Sequence, residues 1–209
     1  MFIAITEFEN LDSDDIQHYT TIASVIDYLM IRTPMSQQQL INWMNRLIQA
    51  GFPKNKIIIH SLITVLEQCH LSAIHFREAD TRIKDFKKSH PHIQISMSTH
   101  HEESVKQAQA LNLDFILFSH IFRTNSKPNQ PPRTKSEIDK AFQYSIPTVA
   151  LGGVNEQTLN DLPKGFDGIA GITLFRRKNR ETMELLRERC NEYQIRCHNN
   201  WIPCNRYVD

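Results

Sequence analysis

The chain alternates short runs of β-branched and aromatic residues with longer amphipathic stretches along nearly its whole length. This alternation predicts strands that pair in parallel through right-handed helical crossovers. Eight such units in 209 residues predict an α/β fold, a (β/α)₈ TIM barrel that forms one domain over residues 1–197, with a tail over residues 198–209. The predicted strands are Phe2–Thr6, Asp27–Arg32, Lys56–His60, Ala73–Phe76, Gln94–Ser98, Phe115–Ser119, Pro147–Leu151 and Gly168–Gly171.

An open doubly wound sheet is the alternative architecture, and the turn after the first strand argues against it. Such sheets usually carry a glycine-rich phosphate-binding motif at this point. Here the turn is Thr6-Glu7-Phe8-Glu9, which contains no glycine. The barrel is therefore the favoured architecture.

Apolar periodicity and capping motifs indicate where the helices lie. A stripe of apolar side chains at spacings of three and four residues predicts a helix through Leu40–Ile48, and a similar pattern predicts a last helix over Arg180–Ile195. Three hydroxyl residues are each followed by Gln or Glu three positions later, a capping-box pattern that predicts a helix start. These pairs are Ser36–Gln39, Thr99–Glu102 and Thr134–Glu137.

The charge balance bounds the partners of the chain. With 24 Lys and Arg against 23 Asp and Glu, the net charge of +1 lacks the positive excess of nucleic-acid binders and of polybasic membrane-surface proteins. No apolar run reaches membrane-spanning length, and the start, MFIAITEFEN, lacks the basic region of a signal peptide. We expect a cytoplasmic protein with no nucleic-acid and no membrane partner.

Cysteine and histidine spacing predicts neither a disulfide framework nor a metal site. The four cysteines form no CxxC pair and are expected to be reduced structural thiols. The ten histidines show no HExxH motif. The run His100-His101-Glu102-Glu103 should form the first turn of a helix, where its side chains diverge. No metal and no cofactor are expected.

Glycine is concentrated in one short segment of the C-terminal third of the chain. Five of the six glycines fall between residues 152 and 171: Gly152, Gly153, Gly165, Gly168 and Gly171. Gly152-Gly153 and Gly171 end the seventh and eighth predicted strands, where barrel loops commonly hold a phosphate through backbone N–H groups and a following helix N-terminus. The alternative is that the glycine pair only turns the strand into a helix capped by Asn155.

His120 is the predicted reacting residue. It ends the sixth strand in FILFSHIFRTNSK, and polar residues at this position of a barrel face the active-site mouth. Imidazole exchanges a proton near neutral pH, and Thr124, Ser126 and Lys127 follow as potential anion ligands. The alternative is an imidazole bonded to a nearby backbone carbonyl. The polar, proline-rich segment Arg123–Arg133 is predicted to be a long loop over this end.

Two further polar residues end predicted strands. Ser98 ends the fifth strand and is either a ligand donor or part of a helix cap. Arg32 ends the second strand and either pairs with a substrate anion or is a solvated charge. Within the fourth strand, His75 is expected to be packed and hydrogen-bonded.

Three segments of the chain resemble the thiamine phosphate synthase/TenI family in order and in spacing. They are ISMSTHHEESVKQAQALNLDFILFSHIFRTNSK, IPTVALGGVNEQTL and FDGIAGITLF. The corresponding family motifs include Ser-Thr-His, Gly-His-Val-Phe and Ala-Ile-Gly-Gly-Ile stretches. The synthases of this family join a pyrimidine diphosphate to a thiazole phosphate with Mg²⁺. The TenI branch contains thiazole tautomerases, which aromatise a carboxy-thiazole phosphate by moving a proton and need no metal.

Departures from the synthase pattern favour the TenI branch. Around the retained Arg32, the Gln and Lys of the synthases are replaced by Met30 and Pro34. After the third strand, His60-Ser61 replaces the synthases' Asn-Asp pair, so a magnesium carboxylate is missing. The residue before the Ile-Phe pair is usually Pro in synthases and His in tautomerases, and here it is His120.

The resemblance implies a thiazole tautomerase, an isomerase of thiamine biosynthesis with a thiazole phosphate substrate. His120 is then the acid or base, and Arg32 faces the substrate carboxylate. The residues that match family ligands for the thiazole phosphate are Ser98, Thr124, Ser126, Lys127, Gly153, Ile172 and Thr173. The alternatives are a thiamine phosphate synthase and a non-catalytic regulatory or binding protein of the TenI type. The family also implies a homodimer.

Overall fold

The computed structural model describes residues 1–124 and 127–192 and contains a closed barrel of eight parallel strands in sequential order. The predicted TIM barrel is confirmed, with strand bounds within one residue of those expected. The strands are β1 (Phe2–Ile5), β2 (Tyr28–Ile31), β3 (Ile57–His60), β4 (Ala73–Phe76), β5 (Gln94–Thr99), β6 (Phe115–Ser119), β7 (Thr148–Leu151) and β8 (Gly168–Gly171).

Helices follow the first six strands and β8, and a single 3₁₀ turn over Leu159–Asp161 follows β7. The predicted last helix begins at Arg180 as expected and is described as far as Glu192. Its predicted final residues and the tail over 198–209 lie outside the described residues. The helices are α1 (Ser13–Ile22), α2 (Gln37–Gln49), α3 (Ile63–Gln68), α4 (Ile83–Ser89), α5 (Glu102–Ala110), α6 (Lys135–Ala141) and α7 (Arg180–Glu192).

The strands are apolar on both faces because each face lies in a different core. Along β1, the side chain of Ile3 points into the barrel, while Ala4 packs in the layer between the strands and the helices. Ten side chains fill the barrel interior: Ile3, Ile5, Tyr28, Met30, Ile58, Ala73, Phe115, Leu117, Val149 and Ala170. Parallel strands covered on both faces form continuous hydrophobic runs in the sequence. For this reason the strand bounds could be predicted to within one residue.

Two of the three predicted capping boxes are confirmed, and the third is wrong. Ser36 caps α2 with Gln39, and Thr134 caps α6 with Glu137. Thr99 instead completes β5, where its side chain is buried and its hydroxyl donates to Leu117 O. The helix begins at Glu102, three residues after Thr99, because the strand extends through the position that the motif assigned to the cap.

The described thiols agree with the expected structural role. Cys69 and Cys190 are free and buried, whereas Cys197 and Cys204 lie outside the described residues. Within residues 1–124 and 127–192, no helix combines the length and the apolar character that a membrane crossing requires.

Candidate functional site

A cavity of about 680 Å³ opens at the carboxyl ends of the strands. It receives side chains from every strand end or from the loop that follows, so residues distant in sequence meet there. Ser126 lies outside the described residues. The other predicted site residues all line the cavity: Arg32, Ser98, His120, Thr124, Lys127, Gly152, Gly153, Gly171, Ile172 and Thr173.

His120 is 1% exposed and holds its ring between the loop and the cavity. Its Nε2 lies 3.2 Å from the backbone carbonyl oxygen of Gln130, which can only accept, so Nε2 carries the proton. With this proton on Nε2, Nδ1 is the ring nitrogen that can accept. It is buried, and no group of the described chain bonds to it. The alternative interpretation, an imidazole bonded to a backbone carbonyl, therefore holds for Nε2, whereas Nδ1 can still accept a proton from a ligand.

The glycine pair packs the β7 end against the loop that carries His120. A Cβ at Gly152 would lie 2.3 Å from Cβ of His120, and one at Gly153 would lie 2.5 Å from the carbonyl oxygen of Arg123. Both glycines have positive φ, +94° and +70°. Any side chain here would push the loop away, so the first role of the pair is close backbone packing.

The loop after Gly152-Gly153 forms a turn instead of the expected helix. Asn155 Oδ1 accepts from the backbone N–H groups of Gln157 and Thr158, as a cap does, but only the 3₁₀ turn follows. Thr158 Oγ1 donates to the carbonyl oxygen of Gly153 and fixes the turn. In the described chain, no group accepts from the backbone N–H of Gly153 or Val154, and both residues line the cavity. These N–H groups, rather than a helix terminus, are available to an anion.

Arg32 is half-buried at the end of β2, and its guanidinium lies 5.1 Å from the ring centroid of Phe8. Burial lowers the pKa of Arg32, and the positive charge of Arg77 adds to the effect. No carboxylate of the described residues pairs with it. A desolvated cation without a counter-ion attracts an anionic ligand, as expected for this residue.

Two further imidazoles, His60 and His75, line the cavity, although neither was predicted to be a site residue. Their ring centroids are 5.5 Å apart. Burial lowers the pKa of His60 to about 4, and Arg32 and Arg77 contribute. Burial also lowers the pKa of His75 well below its usual range. Both rings are neutral at pH 7 and act as hydrogen-bonding groups.

A third missed imidazole, His100, connects Lys127 to a carboxylate. His100 Nδ1 lies 2.6 Å from Glu78 Oε2, and Lys127 Nζ lies 3.0 Å from His100 Nε2. Because the carboxylate only accepts, Nδ1 carries the proton and Nε2 accepts from the ammonium group. Arg133, from the predicted long loop, donates to the carbonyl oxygen of His100. This series of hydrogen bonds fixes the ammonium group of Lys127 at the cavity.

The pKa of His60 predicts acid sensitivity of the fold. The folded protein holds His60 neutral down to about pH 4, whereas the unfolded chain binds the proton near pH 6.5. The contribution of His60 to the free energy of unfolding is therefore fully present above pH 6.5. It is lost as the pH drops towards 4, by up to about 3 kcal/mol. In urea unfolding at pH 7 and pH 5, His60→Gln should lose less stability on acidification than the unmodified protein. His92→Gln, at an exposed position, is the control. An equal loss in all three proteins would contradict the assignment.

The carboxylates near the cavity fit a magnesium ion poorly. Glu7 is the single carboxylate among the described lining residues, and Arg176 forms an ion pair with it at 2.9 Å. Asp80, a carboxylate that follows β4, is held by Arg82 at 2.6 Å and does not line the cavity. Mg²⁺ prefers several oxygen ligands, and this cavity offers mainly imidazoles and cationic side chains.

Comparison with known families and structures gives consistent matches. The family model described as thiamine monophosphate synthase matches residues 5–175. A putative thiamine-phosphate synthase 2 from Aquifex aeolicus is 31% identical over 124 residues, which are 58% of this chain and 67% of that protein. A thiamine-phosphate synthase from Persephonella marina is 34% identical over 88 residues, 42% of this chain and 40% of that protein. The second match thus spans well under two thirds of its relative.

Solved structures share the fold. A thiamine phosphate pyrophosphorylase from Pyrococcus furiosus superposes with a TM-score of 0.77 and 18% identity, covering 92% of this chain and 96% of that one. A thiamine phosphate pyrophosphorylase from Bacteroides thetaiotaomicron gives a TM-score of 0.64 and 21% identity, with the same coverage of both chains. At these identities the superpositions establish the barrel architecture alone.

Proposed function

This chain belongs to the thiamine monophosphate synthase family, and from that membership we propose that it isomerises a carboxy-thiazole phosphate by proton transfer in thiamine biosynthesis. One observation carries the proposal. Nδ1 of His120 is a buried acceptor without a partner in the described chain, and its residue lines a cavity rich in anion-binding groups. Such a nitrogen suits a general base.

The proton transfer balances within one substrate molecule. Aromatisation removes a proton from a ring carbon and adds one elsewhere in the same molecule, so the composition is unchanged. His120 Nδ1 takes up a proton, and the imidazolium is stabilised because its Nε2–H donates to the carbonyl oxygen of Gln130. The same ring then returns a proton to the product.

The anionic groups of the substrate have two cationic partners on opposite sides of the barrel. Lys127, which His100 orients, and the N–H groups of Gly153 and Val154 suit the phosphate. Arg32, at the end of β2, suits the carboxylate and lies four strands around the barrel from β6. In this proposal the thiazole ring lies between the phosphate and the carboxylate and beside His120.

A second candidate is the synthase reaction, because both relatives are named as thiamine-phosphate synthases. None of these names mentions a tautomerase. The synthases that this chain resembles use Mg²⁺, and the carboxylates near this cavity fit that ion poorly, which argues against the synthase reaction. We therefore rank isomerisation first and coupling second.

Two parallel incubations separate the candidate functions. We expect the purified protein to convert the unaromatised carboxy-thiazole phosphate to its aromatic isomer, followed by the ultraviolet absorbance of the ring. With the pyrimidine diphosphate, the thiazole phosphate and Mg²⁺, we expect no thiamine phosphate in a chromatographic assay. Steady formation of thiamine phosphate would overturn the isomerase proposal. Binding of the thiazole phosphate without turnover in either assay would instead indicate the non-catalytic alternative.

A further inference from the structure

His75 is buried in the barrel wall between two serine hydroxyls. Its Nδ1 lies 2.8 Å from Ser96 Oγ, and its Nε2 lies 2.8 Å from Ser98 Oγ. His75 and Ser96 are each 1% exposed, whereas Ser98 is partly exposed and lines the cavity. The three side chains form a line from the closed interior to the ligand space. The proposed proton transfer does not use this line.

The buried end of the line fixes its direction. A neutral imidazole has one N–H and one acceptor nitrogen, so either Ser96 or Ser98 must donate to the ring. Within the described chain, the ring of His75 is the one hydrogen-bond partner of the Ser96 hydroxyl. If Nδ1 carried the proton, the hydroxyl hydrogen of Ser96 would be buried without an acceptor, which is unfavourable because its lost bond to water is not replaced. Donation from Ser96 to Nδ1 satisfies both the Ser96 hydroxyl and the two ring nitrogens of His75.

The outer end of the line then presents a donor to the ligand. With Nδ1 accepting, the proton of His75 sits on Nε2 and is donated to Ser98 Oγ. The hydroxyl hydrogen of Ser98 is thereby left for the cavity. In the opposite arrangement Ser98 would donate to His75 and offer only lone pairs, which repel an anion.

We propose that His75 is a positioning residue whose tautomer, set by Ser96, turns the Ser98 hydroxyl into a donor for a phosphate or carboxylate oxygen of the ligand. This inference rests on the proposed function in that the ligand is anionic. The direction of the line is independent of the reaction catalysed. Burial, with His60 and Arg32 adding to it, lowers the pKa of His75, so the single-proton form persists at neutral and mildly acidic pH.

The tautomer can be observed directly in the ligand-free full chain. In isotope-labelled protein, long-range NMR correlations between ring nitrogens and carbon-bound ring protons identify which nitrogen is protonated. We expect the proton of His75 on Nε2, with the signal assigned by its absence in His75→Gln. If that variant does not fold, Ser96→Ala provides the assignment, because it should shift the Nδ1 resonance. A proton found on Nδ1 in the unmodified protein would overturn the proposal.

A double-mutant cycle tests the transmission to the ligand, with inorganic phosphate and thiazole phosphate as probes in calorimetric titrations. Ser96→Ala should weaken thiazole phosphate binding about 2- to 10-fold, as expected for one neutral hydrogen bond. In the Ser98→Ala background, the same change should have no further effect. Additive effects of the two changes would overturn the proposal, as would unchanged binding of both probes by the Ser96→Ala variant. Absence of isomerase activity alongside a non-additive cycle would reject the proposed function and leave this inference intact.

Discussion

Replacing His120 with Asn is expected to lower the rate of isomerisation by about 10²- to 10⁴-fold, the usual contribution of general acid–base catalysis. Asn keeps a polar side chain of similar reach but has no group that accepts a proton near neutral pH. Since the phosphate ligands are untouched, KM should change little while kcat falls. Steady-state kinetics measure both quantities.

The control for this variant is an exposed histidine remote from the cavity. His92→Asn removes an imidazole from the surface and should leave kcat unchanged. Thermal unfolding of both variants shows whether the fold is retained. Full activity of the His120→Asn variant would remove His120 from the mechanism and with it the main support for a tautomerase.

Gly152→Ala is expected to damage both stability and activity. The added Cβ would lie 2.3 Å from Cβ and 2.8 Å from Cα of His120. Relief of this overlap requires a backbone shift that costs about 1–3 kcal/mol, and the positive φ adds about 1–2 kcal/mol. The shift displaces the ring of His120, the proposed general base, so kcat should fall further than the loss of stability explains.

The chain offers a matched control in Gly51→Ala. Gly51 has nearly the same φ, +97°, but a Cβ there meets nothing within 4 Å. Urea unfolding of this variant therefore measures the backbone cost alone. The difference in unfolding free energy between the two variants isolates the overlap with His120. Equal free energies would show that the loop accommodates the methyl group and that Gly152 is not needed for packing.

The fold followed from the sequence because its signals are local. A strand buried on both faces needs a continuous apolar run, and a helix start needs a hydroxyl and an acceptor three residues apart. Both patterns can be recognised without knowing what packs against them. The one wrong cap, at Thr99, arose where a strand extended into the motif, since the pairing of β5 with β6 is a long-range interaction.

The candidate site was predictable in part. The carboxyl ends of barrel strands converge, so polar residues after the strands were expected to meet, and those in the described chain do line one cavity. His100 was set aside because it was expected in the first turn of a helix, where side chains diverge, but it precedes α5, which begins at Glu102. Its partners Glu78 and Lys127 stand 22 and 27 residues away in sequence, and no local pattern reveals them.

By itself the sequence determined the barrel, the order of its strands and the family to which the chain belongs. Only the tertiary structure decided which ring nitrogens carry protons and what the glycines are for. A histidine tautomer depends on whether its partner can donate or only accept, and here those partners come from other strands and loops. Likewise, Gly152 is required by the atoms of His120 that pack against it. Strand patterns are local properties of the chain, whereas hydrogen-bond direction and close packing arise when distant segments meet.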